Sequence, residues 1–136
     1  MKLNFEVDGD EFILAGEASS QVKKILKQLG VSSEIIRRIA IAMYEAEINM
    51  VIHANGGKIE VEITPKKVYI VLKDTGPGIP DIDLAMQEGY STASEEVREL
   101  GFGAGMGLPN MKKYSDDLKI TSEVGKGTTV EITVYI

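Results

Sequence analysis

Glu45 and Asn49 stand four residues apart in a stretch with helical spacing, so both side chains project from one face of one helix. A carboxylate there can accept a proton from an attacking hydroxyl. A neutral amide oxygen is a hard ligand suited to Mg²⁺. Taken alone, the pair also fits an ordinary solvated helix face. His53 extends the stripe by one turn. A lone histidine near a helix end serves equally well as a cap or a packed structural group.

Asp74 ends the apolar run from Val68 to Lys73 and opens Asp74-Thr75-Gly76-Pro77-Gly78-Ile79-Pro80. Its parity matches Val68, Ile70 and Leu72, the row that faces a covering layer. A carboxylate in that row needs donors, and the exocyclic amine of adenine or a bound water would suit it. Gly76 and Gly78 allow the main chain to approach a flat ring without a Cβ clash. The same residues also make a plain Pro-Gly turn.

Gly101, Gly103, Gly105 and Gly107 alternate through Gly101–Leu108, with Met106 among them. Neither the dinucleotide fingerprint nor the P-loop fits this register. What remains is a glycine hinge leading into a helix that starts near Leu108, whose free N–H groups favour phosphate oxygens, or else a simple linker. Near the C-terminus, Gly125-Lys126-Gly127-Thr128-Thr129 opens the last strand. Thr128 shares a face with Val130, Ile132, Val134 and Ile136. It is the polar member of an apolar row, placed to hydrogen-bond a ligand between sheet and helices. A tight hairpin alone would also account for the glycines.

These residues need a scaffold. Leu3–Val7 alternates, Asp8-Gly9-Asp10 turns, and Glu11–Ala15 returns, which predicts an N-terminal hairpin. Ser19 or Ser20 is the expected cap of a helix carrying Val22, Ile25, Leu26 and Leu29 and stopped by Gly30. Ser32 or Ser33 opens a longer helix to about Ala54, ended by Asn55-Gly56-Gly57. Lys58–Thr64 and Val68–Lys73 read as strands around a turn at Pro65-Lys66-Lys67. A long loop follows from Asp81 to Met106, with a short helix near Ile82–Gln87. Leu108–Tyr114 reads as a helix, and Leu118–Glu123 and Thr128–Ile136 as closing strands. The fold class is α+β: a two-layer sandwich of a mostly antiparallel, mixed sheet covered on one face by about three helices.

The chain has 136 residues, 43% of them hydrophobic and 26% charged, as expected for one folded domain rather than a disordered segment. A net charge of -6 argues against nucleic acid as partner. With no cysteine and one histidine, thiolate and multi-histidine metal sites are excluded. A bound metal would be oxygen-ligated, which points to Mg²⁺. No export signal is visible, and no segment approaches the ~20 apolar residues that span a bilayer. A cytoplasmic protein without membrane contact is expected.

With these motifs in this order, the chain resembles the GHKL (Bergerat-fold) ATPase superfamily, which includes gyrase-type topoisomerases, chaperones, mismatch-repair ATPases, histidine kinases and small anti-sigma kinases. The resemblance runs from about Ala42 to the C-terminus. The family's helix motif falls on Glu45-Ala46-Glu47-Ile48-Asn49 with His53. Its glycine boxes fall on Asp74–Gly78, Gly103–Leu108 and Gly125–Thr128. Glu45 through Ala54 and Gly89-Tyr90-Ser91-Thr92 look like the stand-alone anti-sigma factor and switch serine-protein kinases. The chain reads as one such domain over residues 1–136, with neither a phosphotransfer helix before it nor a transducer domain after it.

The resemblance implies an ATP-binding serine/threonine kinase that acts as an anti-sigma factor or related switch in bacterial transcription. Glu45 would be catalytic and Asn49 the Mg²⁺ ligand. Contacts to ATP or ADP would come from Asn49, Asp74, Gly76, Gly78, Ile79, Gly103, Gly105, Met106, Gly107, Leu108 and Thr128. A lid would span about 86–106, with Glu95, Glu96, Arg98 and Glu99 making it strongly charged. The implied partners are a sigma factor or a small antagonist protein, and a second copy through the N-terminal edge strand. Two other readings remain at this point: a non-catalytic module that uses ATP to shape a binding surface, and an orphan ATPase domain.

Overall fold

A computed structural model describes residues 1–8, 16–54, 56–78 and 107–136. Strict alternation builds the sheet. In β2 (Gly56–Ile63), Ile59, Val61 and Ile63 point inward, and Lys58, Glu60 and Glu62 outward. In β3 (Lys67–Lys73), Val68, Ile70 and Leu72 point inward. With β1 (Lys2–Asp8), β4 (Asp117–Glu123) and β5 (Gly127–Tyr135), these strands form a five-stranded sheet in the order β1-β2-β3-β5-β4. All four described pairings are antiparallel, so the parallel component expected of a mixed sheet is absent among the described residues. The strand β1 pairs with β2, Leu3 opposite Val61 and Phe5 opposite Ile59. Its expected hairpin partner Glu11–Ala15 lies outside the described residues, as do the helix near Ile82–Gln87 and the lid.

Three helices cover one face: α1 (Glu17–Gln28), α2 (Ser33–Ala54) and α3 (Gly107–Tyr114). Val22 and Leu26 of α1, Ile39, Met43 and Met50 of α2, and Met111 of α3 are buried in one core with the inward row of the sheet. Burying side chains of this size contributes about 1.5–3 kcal/mol each, so this layer is the main source of stability. The outer face is polar. There the Tyr69 hydroxyl donates to Glu131, which pushes the Tyr69 pKa up to about 12.

Two helix ends differ from expectation. The helix α1 begins at Glu17 behind Gly16, so neither Ser19 nor Ser20 is its cap, and Leu29 is 49% exposed rather than part of the buried stripe. The helix α3 begins at Gly107, one residue before the expected start. The α2 start agrees: the Ser32 hydroxyl accepts from the Ile35 N–H at 3.4 Å. Arg38 ties α2 to the sheet edge by donating to Asp116 Oδ1 at 3.0 Å, while the Tyr135 N–H donates to Asp116 Oδ2 at 2.7 Å. These two hydrogen bonds, the backbone one foremost, hold the Asp116 carboxyl below its ordinary pKa.

The strand order matters for function. Because β5 lies beside β3 in antiparallel register, with Lys73 opposite Thr129, the end of β3 meets the start of β5. Asp74 and Thr128, 54 positions apart, become neighbours there.

Candidate functional site

Asp74 anchors the junction. Its Oδ1 accepts from the Gly76 N–H at 3.0 Å and the Thr128 N–H at 3.1 Å, while its own N–H donates to the Thr128 carbonyl at 3.0 Å. Hydrogen bonds to a charged acceptor are the stronger kind, so the side chain is fixed from both strands. No described residue donates to Oδ2. That oxygen is left able to accept from a ligand amine. Beside it, the Thr128 hydroxyl is 2.9 Å from the Ser122 hydroxyl, and Ser122 also donates to the Gly127 carbonyl. Thr128 is buried, as its place in the apolar row requires.

The glycines around Asp74 are dictated by main-chain crowding. A Cβ on Gly127 would sit 2.1 Å from the Asp74 carbonyl oxygen, and its φ of 132° is itself unfavourable for other residues. A Cβ on Gly78 would meet the Glu123 carbonyl oxygen at 2.6 Å, and the Gly125 N–H donates to the Pro77 carbonyl at 2.9 Å. The close neighbour on the Cβ side of Gly78 is therefore the protein's own β4–β5 turn, a demand for glycine that stands beside the expected one of admitting a flat ring.

Gly57 joins this region to α2. A Cβ there would lie 2.5 Å from the Met50 methyl group and 3.1 Å from the Asp74 Cα. The helix turn carrying Asn49 and Met50 therefore ends over the same corner as Asp74. Asn49 is half-buried, and no described residue hydrogen-bonds its amide. One turn earlier, half-buried Glu45 accepts from Asn110 Nδ2 of α3 at 3.3 Å. Leu108, one residue into α3, is buried in the core. The structure thus brings Glu45, Asn49, Asp74, Gly76, Gly78, Leu108 and Thr128 to one end of the sandwich, with Gly107 at the start of α3. Ile79, Gly103, Gly105 and Met106 lie outside the described residues.

Sequence reasoning overlooked Glu47. It is 2% exposed, and its carboxylate accepts from Gly16 N at 2.9 Å, Ala18 N at 3.2 Å, Ser19 N at 3.0 Å and Ser19 Oγ at 2.8 Å. A side chain of α2 thereby caps α1 from a distance, where the helix dipole favours negative charge. A signal was available: Met43, Ala46, Glu47 and Met50 form one i, i+3, i+4, i+7 stripe. A carboxylate on that stripe had to find donors. Two positions apart on a helix, Glu45 and Glu47 face opposite ways, one to the candidate site and one to α1. Between them, Tyr44 has its hydroxyl pKa raised by burial first, then by the charges of Glu45 and Glu47.

The donor set suits a nucleotide. Among the described residues nothing hydrogen-bonds Asp74 Oδ2 or the Asn49 amide, so the first can match an amine and the second can offer a neutral oxygen to a hard cation. Among the described residues no group of three His, Cys, Asp or Glu side chains could cage a metal. A cation here would have to draw most of its ligands from phosphate and water.

The family model described as histidine kinase-, DNA gyrase B- and HSP90-like ATPase matches residues 34–136. The chain belongs to this ATPase family. It therefore carries an ATP-binding domain, and the anti-sigma and serine-kinase branch recognised in the motifs supplies its relatives. The chain is 38% identical over 124 residues to the anti-sigma F factor of Caldanaerobacter subterraneus subsp. tengcongensis, covering 88% of this chain and 83% of that protein. It is 33% identical over 118 residues to the serine/threonine-protein kinase RsbT of Bacillus subtilis, covering 84% and 83%. The fold is similar to the RsbU and RsbW domains of Rv1364c from Mycobacterium tuberculosis, with a TM-score of 0.66 at 18% identity, covering 98% of this chain and 32% of that one. It is also similar to the mycobacterial sensor histidine kinase MprB, with a TM-score of 0.57 at 15% identity, covering 99% and 97%.

Proposed function

We propose that this protein is an ATP-dependent serine/threonine kinase that acts as an anti-sigma factor or related switch, holding a bacterial sigma factor or phosphorylating a small antagonist protein. The observation that carries the reading is the half-satisfied Asp74 carboxylate. Its Oδ1 accepts from Gly76 and Thr128, and its Oδ2, to which no described residue donates, would read the adenine amine. Asn49 would hold Mg²⁺, which neutralises phosphate charge when bound. Glu45 accepts the proton of the seryl or threonyl hydroxyl. The hydroxyl oxygen then bonds to the γ-phosphorus, and the bond to the β–γ bridging oxygen breaks, leaving ADP. Such transfer depends on positioning and electrostatics more than on covalent help, which suits a site with few ionisable groups.

The kinase name of one relative favours phosphotransfer to a protein over hydrolysis alone, and the anti-sigma name of the other favours a sigma factor as partner. A cytoplasmic setting suits that role, and no helix among the described residues is long and apolar enough to cross a membrane. Among the described residues β1 is the edge of the sheet, and the N-terminal hairpin Leu3–Ala15 would offer a second copy a route to dimerise.

The test is capture of partners from the native organism in Mg-ATP, followed by transfer from γ-labelled ATP to the captured protein. Label on a serine or threonine with parent protein, and none with Glu45→Ala despite unchanged ATP affinity, is expected. Tight ATP-dependent capture without label would instead establish a non-catalytic binding module. Steady phosphate release with no labelled protein would establish a plain ATPase.

A further inference from the structure

We propose that Asn110 is a positioning residue that aims the Glu45 carboxylate. The inference rests on the reading of Glu45 as proton acceptor and names the group that orients it. A glutamate side chain turns about three torsions, and a half-buried one on a helix flank retains much of that freedom unless something holds it. Among the described residues, the hydrogen bond to the Glu45 carboxylate comes from Asn110 Nδ2 to Oε1, at 3.3 Å across the α2–α3 contact. An ionised carboxylate only accepts, so the amide must present its NH₂ group.

Asn110 is well mounted for this task. Its neighbours Leu108 and Met111 are 8% and 0% exposed in the core, and Pro109 restricts the intervening backbone. Farther along, Arg37 of α2 lies 5.7 Å from the Tyr114 ring centroid, a second tie between the two helices. The amide is thus delivered from a fixed support. With Oε1 held, Oε2, to which no described residue hydrogen-bonds, is the oxygen left to take the acceptor's proton. Neither Asn49 nor Asp74 takes part in this contact. Losing it should therefore slow the chemical step without weakening nucleotide binding.

The experiment compares parent, Asn110→Ala, Asn110→Asp, Glu45→Ala, Glu45→Asp and the double variant Glu45→Asp/Asn110→Ala. Single-turnover ADP formation from Mg-ATP is followed with water as acceptor, and ATP affinity by calorimetry. Asn110→Asp keeps the side-chain volume, so it carries the test if the alanine variant folds poorly. Asn110→Ala and Asn110→Asp should each lose about 10–100-fold in rate, the scale of a displaced catalytic group, with ATP affinity within about twofold of the parent. In the Glu45→Asp background the shortened carboxylate no longer reaches Asn110, so adding Asn110→Ala should change the rate by less than about twofold. A parental rate in both Asn110 variants overturns the proposal, as does an equal loss of affinity and rate or an undiminished Asn110→Ala effect in the Glu45→Asp background. A parental rate in Glu45→Ala overturns the proton-acceptor reading itself. Loss in Glu45→Ala with no loss at Asn110 overturns only the aiming role.

Discussion

Replacing Glu47 by glutamine should destabilise the protein by about 2–3 kcal/mol, although the two side chains have nearly the same volume. The buried carboxylate receives four hydrogen bonds, two on each oxygen. A glutamine oxygen can keep the Ser19 pair, but its NH₂ then faces the N–H groups of Gly16 and Ala18. Ala18 is buried, so its N–H is left without an acceptor, at about 1–3 kcal/mol. The favourable meeting of negative charge with the α1 N-terminus, about 0.3–2 kcal/mol, goes as well. The desolvation cost of a buried carboxylate offsets part of the loss. Glu47→Ala removes every acceptor and should cost about 3–5 kcal/mol, a large share of the ~5–15 kcal/mol that holds a typical domain folded. Urea titration reads both. With m near ~2 kcal/mol/M, Glu47→Gln should lower the midpoint by roughly 1–1.5 M at unchanged m. Glu45→Ala, on the opposite face of the same helix, should stay within about 0.5 kcal/mol of the parent. A Glu47→Gln midpoint within about 0.2 M of the parent would refute the remote-cap account.

Asp74→Asn should fold normally, because an amide oxygen can still accept from Gly76 and Thr128. Its NH₂ would oppose the adenine amine, so calorimetry should show ATP affinity reduced about 10–100-fold. Gly127→Ala should cost at least ~2 kcal/mol in urea melts and weaken ATP binding too, since the added methyl displaces Asp74. Acid stability should depend on Asp116, whose folded pKa is depressed by the Tyr135 N–H and Arg38. A depressed carboxyl pKa contributes stability that is full above the unfolded value of about 3.9 and is lost as pH falls through the lower folded value. Asp116→Asn should therefore flatten the fall in urea midpoint below about pH 4, and an unchanged slope would contradict the assignment.

The sheet was legible because its strands alternate so cleanly. Ile59, Val61 and Ile63, or Val68, Ile70 and Leu72, admit one orientation only, and that parity put Asp74 and Thr128 on the helix-covered side in advance. Their pairing was not legible, since it depends on β5 returning between β3 and β4. The α1 start was misplaced for a related reason. Ser19 has the chemistry of a local cap, yet the acceptor that serves this helix end arrives from Glu47, 28 positions away. Asn110 left no trace in the pattern, because the α2–α3 contact that gives it a role is a tertiary fact. Gly78 was singled out for a ligand's approach and Gly127 as part of a hairpin, and the main chain that presses on both was not legible because it arrives from distant positions.

That pressure changes what the glycine boxes can tell about a homologue. Where two stretches of polypeptide cross at atomic contact, the lack of a side chain is demanded by architecture, whether or not a nucleotide ever visits. With the roles proposed for Glu45 and Asp74, a descendant that had abandoned catalysis would retain Gly57, Gly78 and Gly127 merely to stay folded, while nothing would protect Glu45 or the second oxygen of Asp74 from drift. Living and lapsed enzymes of this lineage should therefore be told apart by their carboxylates and not by their glycines.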